Sequence, residues 1–319
     1  MKNFLIFVCL IFGALFASVV LKRGHQSAEE SRPALRIFAS SSFISQWGPG
    51  PLLKEIFEKT CECRVDLLDN ADSTIMIQRL KSEGRTGGAD LVLGLDQYDL
   101  EAAHQGIEWR KLAVEDVDFE DIVRPLLTRS HLVPYNWGLL SFVIRKSEIP
   151  EAPRKLEDLL RPDLKGQIVM QDPRTSSVGL QFLLWLIQLK GEEKAFQFLA
   201  SFNQQLHSYA PSWSTAYGLF QKAQVKSAFS YVTSPVYHLV EDKNSDVTAV
   251  ELDEGHPAQF ELGGVPTTCK NCELAERFMA LILSPEGQKI VMEKNYMFPV
   301  IKGVRDGTPF ADLPAYKAV

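Results

Sequence analysis

The side chains that could do covalent or metal chemistry are few and poorly placed for it. Six histidines are spread along the chain without metal-ligand spacing. No G-x-S-x-G, H-E-x-x-H, G-x-x-x-x-G-K-[ST] or G-x-G-x-x-G segment is present. No catalytic residue and no cofactor is therefore expected. Cysteine offers more. Apart from Cys9, the thiols form two close pairs, Cys61-Glu62-Cys63 and Cys269-Lys270-Asn271-Cys272. In an oxidising compartment each pair is a local disulfide. The alternatives are reduced buried thiols, or one zinc site if the two pairs meet in space. No thioredoxin-like context surrounds Cys269 and Cys272, and no metal is expected. What remains is non-covalent chemistry from aromatic and hydroxyl side chains.

The elements that must position those side chains follow from periodicity. Leu35–Ala39 reads as a strand. Trp47-Gly-Pro-Gly-Pro51 is a turn that seeds a helix with Leu52, Leu53, Ile56 and Phe57 on one face. Cys63–Leu68 alternates as a strand, and Asp72 is placed to cap a helix running to Glu83. Ala89–Gly94 is a near-continuous apolar run, as in a buried parallel strand. Asp90 and Asp96 read as strand-end and helix-cap residues. This βαβαβα order predicts a doubly wound α/β lobe whose ligand edge lies at the C-terminal ends of its strands.

From Leu132 to Lys146 the chain is strand-rich without an intervening helix, which reads as a crossover into a second lobe. There a helix is expected near Leu156–Leu160 and a strand over Gln167–Gln171. Asp172–Ser177 forms a loop feeding a helix over Val178–Leu189, and a further helix runs to Gln205. Ser212 caps a helix from Trp213 to Lys222. Strand Lys226–Tyr231 is followed by a helix opened by Ser234-Pro235. Strand-like stretches between Val247 and Leu262 lead back to the first lobe, and two helices, Cys272–Leu283 and Pro285–Lys294, close the chain. The fold class is thus α/β, with two doubly wound α/β lobes, a hinge and an interlobe ligand cleft. The lobes are 34–133 plus 255–319 and 134–254.

Composition is consistent with this. The 319 residues are 45% hydrophobic and 23% charged, with net charge −6, which excludes wholesale disorder and shows no basic surplus for a nucleic-acid partner. Lys2 precedes an uncharged run from Asn3 to Leu21, and Lys22-Arg23 follow it. Residues 1–24 are either a cleaved secretory signal or an uncleaved membrane anchor. Residues 25–33 form a polar tether. Either way the body is exported, either free or tethered to the membrane.

Six collinear segments carry a specific likeness: Ser42-Phe43 with Trp47-Gly-Pro-Gly-Pro51, Ala89–Asp96, Val133–Gly138, Gln171–Ser176, Trp213–Phe220 and Ser230–His238. Together they resemble the periplasmic thiamine-binding proteins of ABC importers, over about Leu35 to Pro299. The resemblance implies a type II periplasmic binding protein fold, a periplasmic location, and a monomer that delivers thiamine or a thiamine phosphate to an inner-membrane ABC permease. It places ligand contacts at Asp72, Trp137, Ser176, Ser177, Trp213, Tyr231 and Tyr237. The free N–H groups at the loop before the Val178 helix suit a phosphate or hydroxyl group there, and aromatic faces suit a thiazolium cation.

Some positions keep two readings. Trp47 reads first as a residue locking its turn and second as a ligand contact. Trp137 is divided between cleft and core, and Asp72 between cap and ligand contact. Arg174 pairs with Asp172 or meets a phosphate. Tyr217 reads as packing, Trp185 as core, and His238 and His256 as surface or core. The chain departs from the family at Ser40-Ser41, where Tyr-Asp is common, and at Tyr135-Asn136-Trp137-Gly138, where Phe-Asp-Tyr-Gly is common. One aromatic side chain and two carboxylates are therefore missing from positions expected near the ligand. That leaves room for a pyrimidine precursor, another phosphate ester or a ferric ion as the ligand, and for a sensor as the role.

Overall fold

The computed structural model describes residues 32–70, 73–83 and 88–319. The expected signal or anchor, most of the polar tether, and Asp72 lie outside these residues. The first lobe is built as the pattern required: β1 (Ala34–Ala39), α1 (Ser41–Ile44), α2 (Gly50–Cys61), β2 (Arg64–Asp69), α3 (Ser73–Glu83), β3 (Leu91–Asp96) and α4 (Leu100–His104). After a short helix α5 (Arg124–Leu127), the 13-residue strand β4 (Val133–Arg145) passes from one lobe to the other.

The second lobe contains β5 (Ile168–Gln171), α6 (Ser177–Lys190), α7 (Glu192–Phe202), β6 (Leu206–Ala210), α8 (Trp213–Gln221), β7 (Ser227–Tyr231), α9 (Ser234–Val240) and β8 (Val247–Ala249). Then β9 (Ala258–Gly264), α10 (Cys272–Ile282) and α11 (Pro285–Asn295) return to the first lobe. Two elements differ from expectation. Leu156–Leu160 is a 3-10 helix, and Leu206–Ala210 is a strand in a segment for which the sequence indicates no element. Its alternating exposure and polar residues, typical of a sheet edge, masked it.

Strand order is β2-β1-β3-β9-β4-β7-β5-β6, with β8 also on β4. β1, β2 and β3 run parallel, and so do β5, β6 and β7. β9 is antiparallel to both β3 and β4. β4 pairs with β9 through Val133–Leu139 and with β7 through Leu140–Ile144, so one strand belongs to both sheets. The C-terminal ends of both parallel sets open toward the junction between the lobes, where doubly wound sheets hold their ligands.

Packing fixes that arrangement. In the second lobe Phe142 is fully buried, with Phe229, Phe182 and Phe202 at ring distances of 5.0, 5.9 and 6.2 Å. Trp185 is buried in the same cluster, as expected. In the first lobe Phe57 and Phe278 meet edge to face at 5.0 Å and tie α2 to α10. Disulfides Cys61–Cys63 and Cys269–Cys272 resolve the cysteine alternatives in favour of two local staples. The loops they close are so short that chain entropy credits each with only about 2 kcal/mol. The Asp90 carboxylate accepts the backbone N–H groups of Arg36, Lys270 and Asn271, joining β1, β3 and the Cys269–Cys272 turn. Among the described residues no helix is long and apolar enough to cross a membrane.

Candidate functional site

A cavity of about 470 Å³ lies between the lobes. Its walls come from strand ends. Ser40, Ser41 and Ser42 follow β1, and Asp96 ends β3. Ser176 and Ser177 follow β5, Ser212 to Ser214 follow β6, and Tyr231 and Ser234 stand at the end of β7. Gln259 and Glu261 on β9 and Lys294 to Met297 at the end of α11 complete it.

The second lobe contributes helix N-termini. Ser212 caps α8 by accepting the Thr215 N–H at 3.2 Å. Ser176 stands at the same position on the 14-residue α6, but its hydroxyl does not cap the helix. Ser176 is 3% exposed, and its Oγ has no hydrogen-bond partner among the described residues. A buried hydroxyl and the unpaired first-turn N–H groups of α6 together suit an anionic or hydroxyl oxygen. Gly179 permits this placement, since a Cβ there would stand 2.5 Å from the Gln171 carbonyl oxygen. Only glycine lets the first turn of α6 sit directly on the end of β5.

Aromatic rings make the faces. Trp213 stacks on Tyr217 at 5.0 Å with 12° between planes, and its Nε1 donates to Ser230 at 2.9 Å. Trp47 reaches over from the first lobe to 6.3 Å from Trp213, and Tyr231 lies 6.1 Å from Trp213 on another side. Tyr231 donates to Gln259 at 2.6 Å, and Gln259 donates to Ser177 at 3.3 Å, so hydrogen bonds as well as rings cross the cleft. At the mouth Tyr237 meets Tyr296 edge to face at 5.3 Å, and the Tyr296 hydroxyl donates to Glu241 at 2.7 Å. Burial raises the phenol pKa values of Tyr217, Tyr237 and Tyr296, and the Glu241 carboxylate reinforces the shift at Tyr296. All three remain neutral donors at physiological pH. Tyr217 bonds His238, which is buried and held below its ordinary pKa by desolvation despite its contact with Asp242. His256 is likewise buried.

Of the expected contacts, Ser176, Ser177, Trp213, Tyr231 and Tyr237 line this one cavity, together with Ser40, Ser41 and Trp47. Trp47 is 48% exposed and presents its free surface to the cavity. One expectation is corrected, Trp137, and Arg174 takes the first of its two readings. Trp137 lies in the core: its Nε1 donates to the Pro299 carbonyl, and its ring packs 4.7 Å from Phe298 and 6.3 Å from Phe260. Alternation along β4 turns it away from the side that Asn136 faces. Arg174 is exposed and forks onto Asp172, outside the cavity wall. Asn136 is fully buried and reaches the cavity only through Glu261, to which its amide donates at 2.7 Å.

Carboxylates reach the cavity from other positions than those where the family commonly has them. Asp96 and Glu261 both line the cavity and are register partners across β3 and β9. Asp96 also accepts the Tyr98 and Asp99 N–H groups, as a cap should. Glu261, Gln259 and Tyr296 are missing from the sequence-based site, because their elements reach it from far along the chain. The polar alternation of Gln259 and Glu261 was the available clue.

The sequence profile of the family described as bacterial extracellular solute-binding protein matches residues 110–315. The chain is 37% identical to the thiamine-binding periplasmic protein of Brucella melitensis over 297 residues, 92% of this chain and 86% of that one. It is 37% identical to the protein of that name from Salmonella typhimurium over 273 residues, 85% and 82% of the two chains. A solved structure of a periplasmic thiamin binding protein superposes with a TM-score of 0.80 at 32% identity, covering 90% of each chain.

Proposed function

This chain belongs to the bacterial extracellular solute-binding proteins, among the thiamine-binding periplasmic proteins, and on that premise we propose that it captures thiamine or a thiamine phosphate between its lobes. It hands the ligand to an inner-membrane ABC permease. The observation that carries this reading is the meeting of Trp47 and Trp213 across a cavity that also presents the unpartnered Ser176 hydroxyl at the head of α6. The two indoles, tilted 58° to each other, offer ring surface to a flat cationic ring, and the α6 end holds its hydroxyl or phosphate arm.

No bond is made or broken, and no cofactor takes part. The protein acts as a monomer in the periplasm without a nucleic-acid partner, and the apolar run from Asn3 to Leu21 exports it and is then either removed or kept as a tether. The ligand touches Ser40, Ser41 and Trp47 of lobe 34–133 plus 255–319, and Ser176, Ser177, Trp213, Tyr231 and Tyr237 of lobe 134–254. By contacting both it shifts the open–closed balance, and the permease reads the closed form. Asp72 adds an acidic contact, on the strength of the sequence resemblance alone.

Small-angle scattering tests the mechanism. Saturating thiamine monophosphate is expected to reduce the radius of gyration, whereas ferric citrate and inorganic phosphate leave it unchanged. An unchanged radius with every thiamine compound would overturn closure.

A further inference from the structure

We infer that Glu261 is the residue that selects a positively charged ring in the ligand, and that Tyr135 and Asn136 position it. The inference deepens the proposed thiamine reading and rests on it. Glu261 lies on β9 in the cavity wall, and both side chains named with it donate to the same carboxylate oxygen. The Tyr135 hydroxyl is 2.9 Å from Oε2 and the Asn136 amide 2.7 Å.

Two consecutive residues of a regular strand point to opposite faces and could not both do this. Here the register of β4 on β9 shifts between Pro134 and Asn136, a bulge that turns the two side chains to one side. Tyr135 is fully buried, packed edge to face on Phe43 at 6.0 Å. Burial, reinforced by the Glu261 charge, raises its phenol pKa well above the ordinary value, so it stays a donor. Asn136 is fully buried as well, and its Oδ1 has no partner among the described residues. Two buried donors on one oxygen hold the orientation of the carboxylate.

The surroundings specify what that carboxylate meets. Asp96, its register partner, adds a second acid to the same wall, and Lys294 is the only basic side chain among the described lining residues. Gln259 stands two residues before Glu261 and bonds Ser177. The carboxylate is therefore displaced from the α6 end by one strand repeat, about 7 Å. A ligand that places an oxygen at Ser176 and Ser177 sets its ring opposite Glu261 if the two are joined by a short arm. The cavity is negative at one end and rich in helix N–H groups at the other, which suits a cationic ring with a hydroxyl or phosphate tail.

The test compares thiamine with 3-deazathiamine, the neutral isostere in which carbon replaces the charged ring nitrogen. Affinities are measured by calorimetry on the whole protein and on E261Q and Y135F. The amide oxygen introduced by E261Q can accept from both Tyr135 and Asn136, so the fold is retained, and near-UV circular dichroism checks this. E261Q is expected to weaken thiamine by about ten- to a hundredfold, the range for losing one close charge pair, and to leave deazathiamine nearly unchanged. Y135F, which alters only the buried end, should narrow the ratio of the two affinities in the same direction by a smaller factor. Equal changes for the two ligands, or no change in the ratio for either variant, would overturn the assignment while leaving the thiamine reading intact. Failure of the unmodified protein to bind thiamine at all would overturn both.

Discussion

Replacing Trp213 with alanine is expected to weaken thiamine binding by roughly 100-fold, from the loss of about 2 kcal/mol of cation–ring attraction and of ring packing on top of it. Trp213 is the first residue of α8, set there by the Ser212 cap. It is held flat by Tyr217 below it and by the bond from its indole to Ser230. Both restraints exist within the second lobe, so the ring is oriented before the lobes meet. Trp47 has fewer restraints and is half exposed, so W47A should cost distinctly less than W213A. W213F keeps a ring face but loses the Ser230 bond, and should fall between the unmodified protein and W213A. Calorimetric titration with thiamine measures all three. Equal affinity of W213A and the unmodified protein would remove the aromatic clamp from the account.

The second large effect concerns stability. Phe142 is fully buried, and its ring is bounded by Phe182, Phe202 and Phe229. It lies on the half of β4 that belongs to the second lobe. F142A is expected to cost about 3–5 kcal/mol, because the three surrounding rings are anchored in α6, α7 and β7 and cannot collapse into the space. Urea unfolding of the unliganded protein reads this as a lower midpoint with an unchanged slope. Saturating ligand should recover part of the loss by linkage. A midpoint within a few tenths of a molar of the original would mean that this cluster does not set the stability of the second lobe.

How far the site could be read from sequence depends on how locally each residue is determined. The strands β1 and β3 announce themselves as short apolar runs closed by polar residues. The end of β1 carries Ser40 and Ser41, and the loop after β5 carries Ser176 and Ser177. Ser212 before Trp213 is a local cap that sets Trp213 as the first residue of its helix. The residues that escaped belong to long-range pairing. Glu261 enters the site because β9 inserts between β3 and β4, and nothing near residue 261 encodes that neighbour. Trp137 was assigned partly to the cleft because its segment borders the site. One residue of strand phase, set by the β4 bulge, sends Asn136 toward Glu261 and Trp137 toward Phe298. Bulges are decided by pairing, so a single strand's alternation does not fix the phase. Arg174 was open to a phosphate role because it precedes α6. In the folded chain its neighbour Asp172 takes the whole guanidinium fork.

The most direct measurement is calorimetric titration of the purified protein with thiamine, its mono- and diphosphate, the free aminopyrimidine, ferric citrate and inorganic phosphate. The account predicts saturable one-to-one binding of thiamine compounds, and none for ferric citrate or phosphate alone. No binding of any thiamine compound, or tighter binding of ferric ion than of thiamine, would contradict it.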